Sequence, residues 1–220
     1  MNRRLVQWGV IALAIAIAVA TGWQNDQPHE SADQPFDFYV LALSWSPAYC
    51  ATEAGQRSPL QCASGANYGF VTHGLWPQFE DGWPSFCQSP HGDSMPDDIA
   101  NTLLDIMPDR GLIEHQWDRH GTCTGFDQQT YADLIRDAGD RITLPSLFDG
   151  TTPARLDADA IEATFVDANS GLRRDAIAIS CPGGRFAEVR LCLDTTLTPR
   201  ACAQVDRNGC RQANLPIAAR

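Results

Sequence analysis

An α+β domain is what this sequence predicts: a central antiparallel β-sheet flanked by several α-helices and stapled by disulfides. Three observations carry that expectation. Segments of β composition stand at both ends of the ordered region and segments of helical period lie between them, which favours an antiparallel sheet over alternating βαβ units. Eight cysteines, an even number, follow a leader of secretory type. A chain of 220 residues that is 44% hydrophobic and only 20% charged suits one globular core better than a disordered tail.

The leader comes first. Arg3 and Arg4 precede an uncharged run from Trp8 to Gly22, and the run closes on the small-residue pattern Ala18-Val19-Ala20, so residues 1–20 read as a cleaved signal peptide. The alternative is an uncleaved anchor, but a helix over that run reaches only ~22 Å against a hydrocarbon core of ~30 Å. Residues 21–35 are polar with little to bury and read as a flexible linker, leaving 36–215 as a single domain. "FDFYVLALSW" is aromatic and aliphatic with partial alternation, a core strand closed by Ser46-Pro47. "YGFVTHGLW" is a second strand, stopped by Pro77. From Met95 to Met107, Pro96 followed by two aspartates at the head of an apolar-periodic run predicts a helix N-terminus. Period and propensity predict further helices over Leu112–Arg119, Gln128–Ile142 and Leu156–Ala168. "AIAISC" and "FAEVRLCLD" return to β composition.

The cysteines lie at 50, 62, 87, 123, 181, 192, 202 and 210, with no C-x-x-C pair among them. Four disulfides are expected rather than a zinc site. The formal charge is −11, and loss of Arg3 and Arg4 with the leader takes it to −13. Such a surface repels polyanions, so any nucleic-acid role has to be local, few-contact and enzymatic. Lysine is absent: all 16 basic residues are arginines.

"EHQWDRHGTC" concentrates the chemistry. At about 100° per residue along a helix, and relative to His115, Gln116 points at about 100°, Arg119 at about 40° and His120 at about 140°. All four share one arc. Trp117 faces away and is expected to pack the helix onto the sheet. Two imidazoles can supply a base and an acid near neutral pH, and an arginine can hold a phosphate or carboxylate without losing its charge. Taken alone, the pair is equally compatible with surface histidines on a solvated face. A metal site fits less well, because H-x4-H lacks the i,i+4 geometry of H-E-x-x-H.

The stretch "FVTHGLWPQ", with His73 at a strand end, shifts the balance. With "HQWDRHGTC" it resembles the two active-site segments of the ribonuclease T(2) family. "LSWSPAYC", "GWPSFC" and "SCPGGRFAEVRLCLD", with Cys202 and Cys210, resemble further family segments in the same order. The resemblance implies His120 as the general base toward the ribose 2′-hydroxyl, His73 as the general acid toward the leaving 5′-oxygen, and His115 as a phosphate holder. It also implies a 2′,3′-cyclic phosphate that is later hydrolysed to a 3′-phosphate, on single-stranded RNA and not DNA. The RNA supplies its own nucleophile, so neither metal nor cofactor is expected. The pairing it implies is Cys50–Cys62, Cys87–Cys123, Cys181–Cys210 and Cys192–Cys202, the last two nested.

Two positions depart from the family pattern, which has Glu at the position of Gln116 and Lys at that of Arg119. Arg119 keeps the charge and is expected to stabilise the phosphorane. Gln116 can still donate to a phosphoryl oxygen but supplies no negative field. Trp76 matches an aromatic that stacks on the base, and Trp83 is a second candidate. Gln78 stands where some relatives carry an acidic residue that reads adenine, so base preference is not carried over. His29 and His91 are expected to be exposed and idle. The expectation is a secreted or periplasmic monomeric endoribonuclease, without membrane association once the leader is gone. The alternative is a non-catalytic RNA-binding or inhibitory relative, weakened at Gln116.

Overall fold

The computed structural model describes residues 35–220. The predicted leader, almost all of the predicted linker, and His29 therefore lie outside the described residues. Among the described residues the chain runs β1 (Phe38–Trp45), α1 (Ser46–Cys50), α2 (Pro59–Cys62), β2 (Phe70–Gln78), α3 (Asp97–Leu103), α4 (Arg110–Arg119), α5 (Gln128–Asp140), β3 (Arg155–Leu156), α6 (Ala158–Ala168), β4 (Ile177–Ser180), β5 (Glu188–Leu193), α7 (Ala203–Arg207) and β6 (Leu215–Pro216). The main sheet is antiparallel in the order β2-β1-β5-β4, and β3 and β6 form a separate two-stranded sheet. No helix among the described residues is long and apolar enough to cross a membrane.

Alternation along the strands separates two faces. Tyr39, Leu41, Leu43 and Trp45 of β1 join Leu75, Val189 and Leu191 in the main core, with Trp117, Tyr131 and Phe165 from the helices. The intervening residues Phe38 and Val40 pair with Cys192 and Cys202 on the opposite face, where Trp76 and Val205 pack beside them. A period of two in the pleat thus assigns one face to the core and leaves the other for a site.

The strand expected over 68–76 is shifted by two residues: β2 starts at Phe70 and runs through Pro77, which sits opposite Tyr39, to Gln78. β2 is an edge strand, and an edge tolerates a proline because the missing N–H can face away from the ladder. The helix expected from Met95 to Met107 is shorter, ending at Leu103. α4 starts two residues earlier than expected because Asp109 caps it, accepting from the Leu112 N–H at 2.9 Å. Several short elements, α1, α2, α7 and the β3–β6 pair, carry too little periodicity to be read from sequence.

All eight cysteines are bridged, as Cys50–Cys62, Cys87–Cys123, Cys181–Cys210 and Cys192–Cys202, and none is free. The last two bridges tie β4 and β5 to the C-terminal segment. Cys87–Cys123 ties the loop after β2 to the turn after α4.

Candidate active site

The register between β1 and β2 shifts between Ala42 and Leu43: Ala42 faces Gly74 while Leu43 faces Thr72, so His73 is the extra residue of a β-bulge. Strict alternation from Trp76 and Leu75 would aim His73 at the main core. The bulge turns it to the other face, as bulges beside functional sites do. There its Nδ1 lies 2.6 Å from Glu188 Oε2. Glu188 is on β5, across β1 from β2, and the β1 residue opposite it is the small Ser44, with Ala42 next along the same face, opposite Gly74 and Arg190.

α4 supplies the other wall. Ile113 and Trp117 are buried in the core, while Gln116, Arg119 and the capping residue His120 turn toward β2. Trp117 is buried in the core that the sheet lines, as expected; it also packs on Tyr131 of α5, at 5.8 Å between ring centroids, and Tyr131 donates its hydroxyl to the carbonyl of Leu75 in β2 at 2.9 Å. Gly121 is required next to His120, since a Cβ there would come within 2.3 Å of Trp117 and 2.7 Å of Tyr131.

Strand and helix meet at Trp76. Its indole N–H donates to Gln116 Oε1 at 2.7 Å. An indole nitrogen only donates, so it fixes the amide with oxygen toward Trp76 and leaves the NH2 end for other acceptors. His120 stacks on Trp76 at 5.4 Å, and His73 approaches it edge-on at 5.2 Å. The Arg190 guanidinium lies 5.4 Å from the same ring. Gly74 makes this possible: a Cβ would sit 1.9 Å from Gln116 Oε1 and 2.6 Å from Trp76 Nε1. Gly74→Ala is therefore expected to expel the Gln116 amide and to destabilise the fold by about 1–3 kcal/mol. Chemical denaturation and the Trp76 indole N–H resonance check this, and an unchanged resonance would contradict it.

The result is a cleft of about 380 Å³ whose lining includes His73, Trp76, Gln78, Trp83, His115, Gln116, Arg119 and His120. The residues expected from the two histidine-bearing segments thus meet in one place, while His91 is exposed and does not line the cleft. Trp83 is 55% exposed at the rim, whereas Trp76 is already engaged by four side chains. None of the residues lining the cleft is acidic, so on a protein of formal charge −11 the cleft concentrates cationic and imidazole groups. His120 is only 7% exposed. Burial, then the cationic neighbours Arg119, His115 and His73, push its pKa down to about 3. His120 Nδ1 and Arg119 Nε are buried without a hydrogen-bond partner among the described residues.

Sequence reasoning missed Glu188, Arg190 and the α7 side of the cleft, Gln204, Val205 and Asn208. A signal was present for the first two. Glu188 and Arg190 alternate with Val189 and Leu191, which puts both charges on one face of a strand whose other face is core. No comparable signal marks α7, a five-residue helix between two half-cystines.

Fold and cleft together define a disulfide-stapled α+β protein whose site is built from three imidazoles and two guanidinium groups over one sheet face. A profile of the Ribonuclease T2 family matches residues 36–202, and the chain belongs to that family. It is similar to a protein named "Ribonuclease" from Aeromonas hydrophila, 42% identical over 102 residues, which cover 46% of this chain and 44% of the relative. A "Probable ribonuclease" from Haemophilus influenzae is 32% identical over 137 residues, covering 56% and 49%. In these matches the chain spans about half the length of the curated relatives. Among solved structures, an RNase-related protein from Calystegia sepium superposes with a TM-score of 0.66 at 20% identity, covering 84% of this chain and 98% of its own. RNase NT in complex with 5′-AMP gives 0.59 at 21%, covering 84% and 99%. At these identities the likeness is one of fold.

Proposed function

We propose that this protein is an endoribonuclease that cleaves single-stranded RNA by transphosphorylation, without a metal ion or other cofactor. The observation that carries the reading is the placing of His120 and His73 against one indole, Trp76, in a cleft shared with Arg119 and His115. In the first step the ribose 2′-oxygen bonds to phosphorus and the P–O5′ bond breaks. His120, neutral through the mildly acid range because of its burial and cationic neighbours, takes the 2′-hydroxyl proton. His73 gives a proton to the departing 5′-oxygen. In the second step water attacks the 2′,3′-cyclic phosphate with the proton roles reversed and leaves a 3′-phosphate.

Arg119 and His115 hold the phosphoryl oxygens, and the free NH2 end of Gln116 donates to the same group. Trp83, with its exposed ring, is the stacking platform for a base, and Trp76 forms the wall against which the ribose lies. DNA lacks the 2′-hydroxyl and is not a substrate. The proposal extends to a leader over 1–20, a linker over 21–35 and a catalytic domain over 36–215, acting as a monomer in the periplasm or outside the cell. The chain is also similar to an "Extracellular ribonuclease LE" from Solanum lycopersicum, which supports that compartment.

The test is degradation of yeast RNA in the presence of EDTA, beside a His120→Ala control, with product ends identified by mass spectrometry. Cleavage to cyclic-phosphate ends by the parent protein alone is expected. Retarded RNA without cleavage would favour the non-catalytic reading, and cleavage abolished by EDTA would remove the metal-free mechanism.

A further inference from the structure

Glu188 does not line the cleft, yet its carboxylate is committed on both oxygens. Oε2 lies 2.6 Å from His73 Nδ1 and accepts from Ser44 Oγ at 3.3 Å, while Oε1 accepts from Arg190 Nε at 2.8 Å. Its side chain is only 7% exposed. A carboxylate withdrawn this far from water is destabilising unless its charge is matched and its lone pairs are used. Here a guanidinium and an imidazole do both.

We propose that Glu188 is a positioning residue for His73, holding the ring by Nδ1 so that Nε2 faces the cleft. The inference rests on the acid role proposed for His73. An imidazole has two nitrogens, and the acceptor bound to one determines which atom carries the proton and which way the other points. With Nδ1–H directed at the carboxylate, the neutral ring keeps its free lone pair on Nε2, and the protonated ring presents Nε2–H. Both states are those that a group alternating between acid and base requires.

The surroundings make the carboxylate necessary. From β5, Arg190 faces His73; from α4 and its cap come His115, Arg119 and His120. These groups bring positive charge toward the ring, and Glu188 supplies negative charge at hydrogen-bond distance. The carboxylate's own proton affinity agrees. Burial would raise its pKa, but the hydrogen bond and charge of His73, with Arg190, bring it below the ordinary carboxylate value. The β-bulge and the small β1 residues Ala42 and Ser44 then have a common purpose, to open a path across β1 along which His73 reaches β5.

Glu188→Gln preserves shape and an acceptor oxygen but removes the charge; Glu188→Ala removes both. On a dinucleotide over about pH 4 to 8, where imidazoles titrate, Glu188→Gln is expected to lower kcat by roughly 10- to 100-fold, the scale of one charge-assisted hydrogen bond. KM stays within about twofold, as for an interaction made in the transition state and not in substrate binding. The alkaline limb of the kcat profile moves to lower pH. Ring-nitrogen NMR of the unmodified protein, without substrate, is expected to show neutral His73 protonated on Nδ1, and Glu188→Ala to populate the Nε2–H form. The NMR arm needs no turnover, so a protein that cleaves no RNA would fail the proposed function and still test this one. A neutral ring protonated on Nε2 in the unmodified protein overturns the proposal even if no variant folds. So does a folded Glu188→Gln with unchanged kcat and an unchanged alkaline limb.

Discussion

Replacing His120 or His73 by alanine is expected to lower kcat by at least ~100-fold, while His115→Ala mainly raises KM. The two histidines sit in opposite environments, one buried among cations and one hydrogen-bonded to a carboxylate, the separation that lets one fold supply both acid and base. The pH dependence follows from His120. A base acts in its deprotonated form, and with its pKa pushed down to about 3 the acid limb of kcat/KM falls far below the usual imidazole range. Gln116→Glu places a negative charge on the residue that Trp76 holds, beside the stacked His120, and is expected to move that limb to higher pH. Steady-state rates on a dinucleotide across the pH range check both points. Near-normal kcat in either alanine variant would remove the assignment, and an acid limb in the ordinary imidazole range would contradict the burial argument. The same depressed pKa acts on stability. Because the unfolded imidazole takes up its proton near pH 6.5 and the folded one only near 3, the contribution of His120 to folding falls as the pH drops through that window.

Removing the Cys87–Cys123 bridge by a double serine substitution is expected to cost ~2–5 kcal/mol and most of the activity. The bridge spans 36 residues and joins the loop carrying Trp83 and Phe86 to the turn after His120. The same loop is also held by a backbone hydrogen bond from Phe86 N to Arg119 O at 2.9 Å, by the Arg119 guanidinium over the Phe86 ring at 5.5 Å, and on its α7 side by the Gly82 N–H donating to Gln204 Oε1 at 2.9 Å. Phe86 is 55% exposed and at positive φ, so burial contributes little to fixing the loop. Without the covalent tie, the rim of the cleft loses its position relative to α4. The Cys192–Cys202 bridge, spanning only 10 residues, should cost less when removed, since it closes a shorter loop in the unfolded chain. Calorimetry of the two double variants measures the difference. An unchanged Tm for the longer bridge would mean that the loop is held by its other contacts.

The helical arc of His115, Gln116, Arg119 and His120 was legible in the sequence, because a period of 3.6 residues determines direction within one helix. The alternation of Glu188 and Arg190 with Val189 and Leu191 carried a local signal that was missed. The class of fold was legible from the order of β and helical segments, and the cysteine pairing through resemblance to a family. The β-bulge that turns His73, the bond from Trp76 to Gln116, and the pairing of His73 with Glu188 at a separation of 115 residues were not. Pro77 marks the same boundary: its missing N–H is a local fact, but whether that ends a strand depends on its lying at the sheet edge. The sequence by itself determined which residue types were available and which way each points along its own element. Only the tertiary structure decided which elements meet and in what register, because a shift of one residue between strands exchanges their faces, and local periodicity carries no record of that shift.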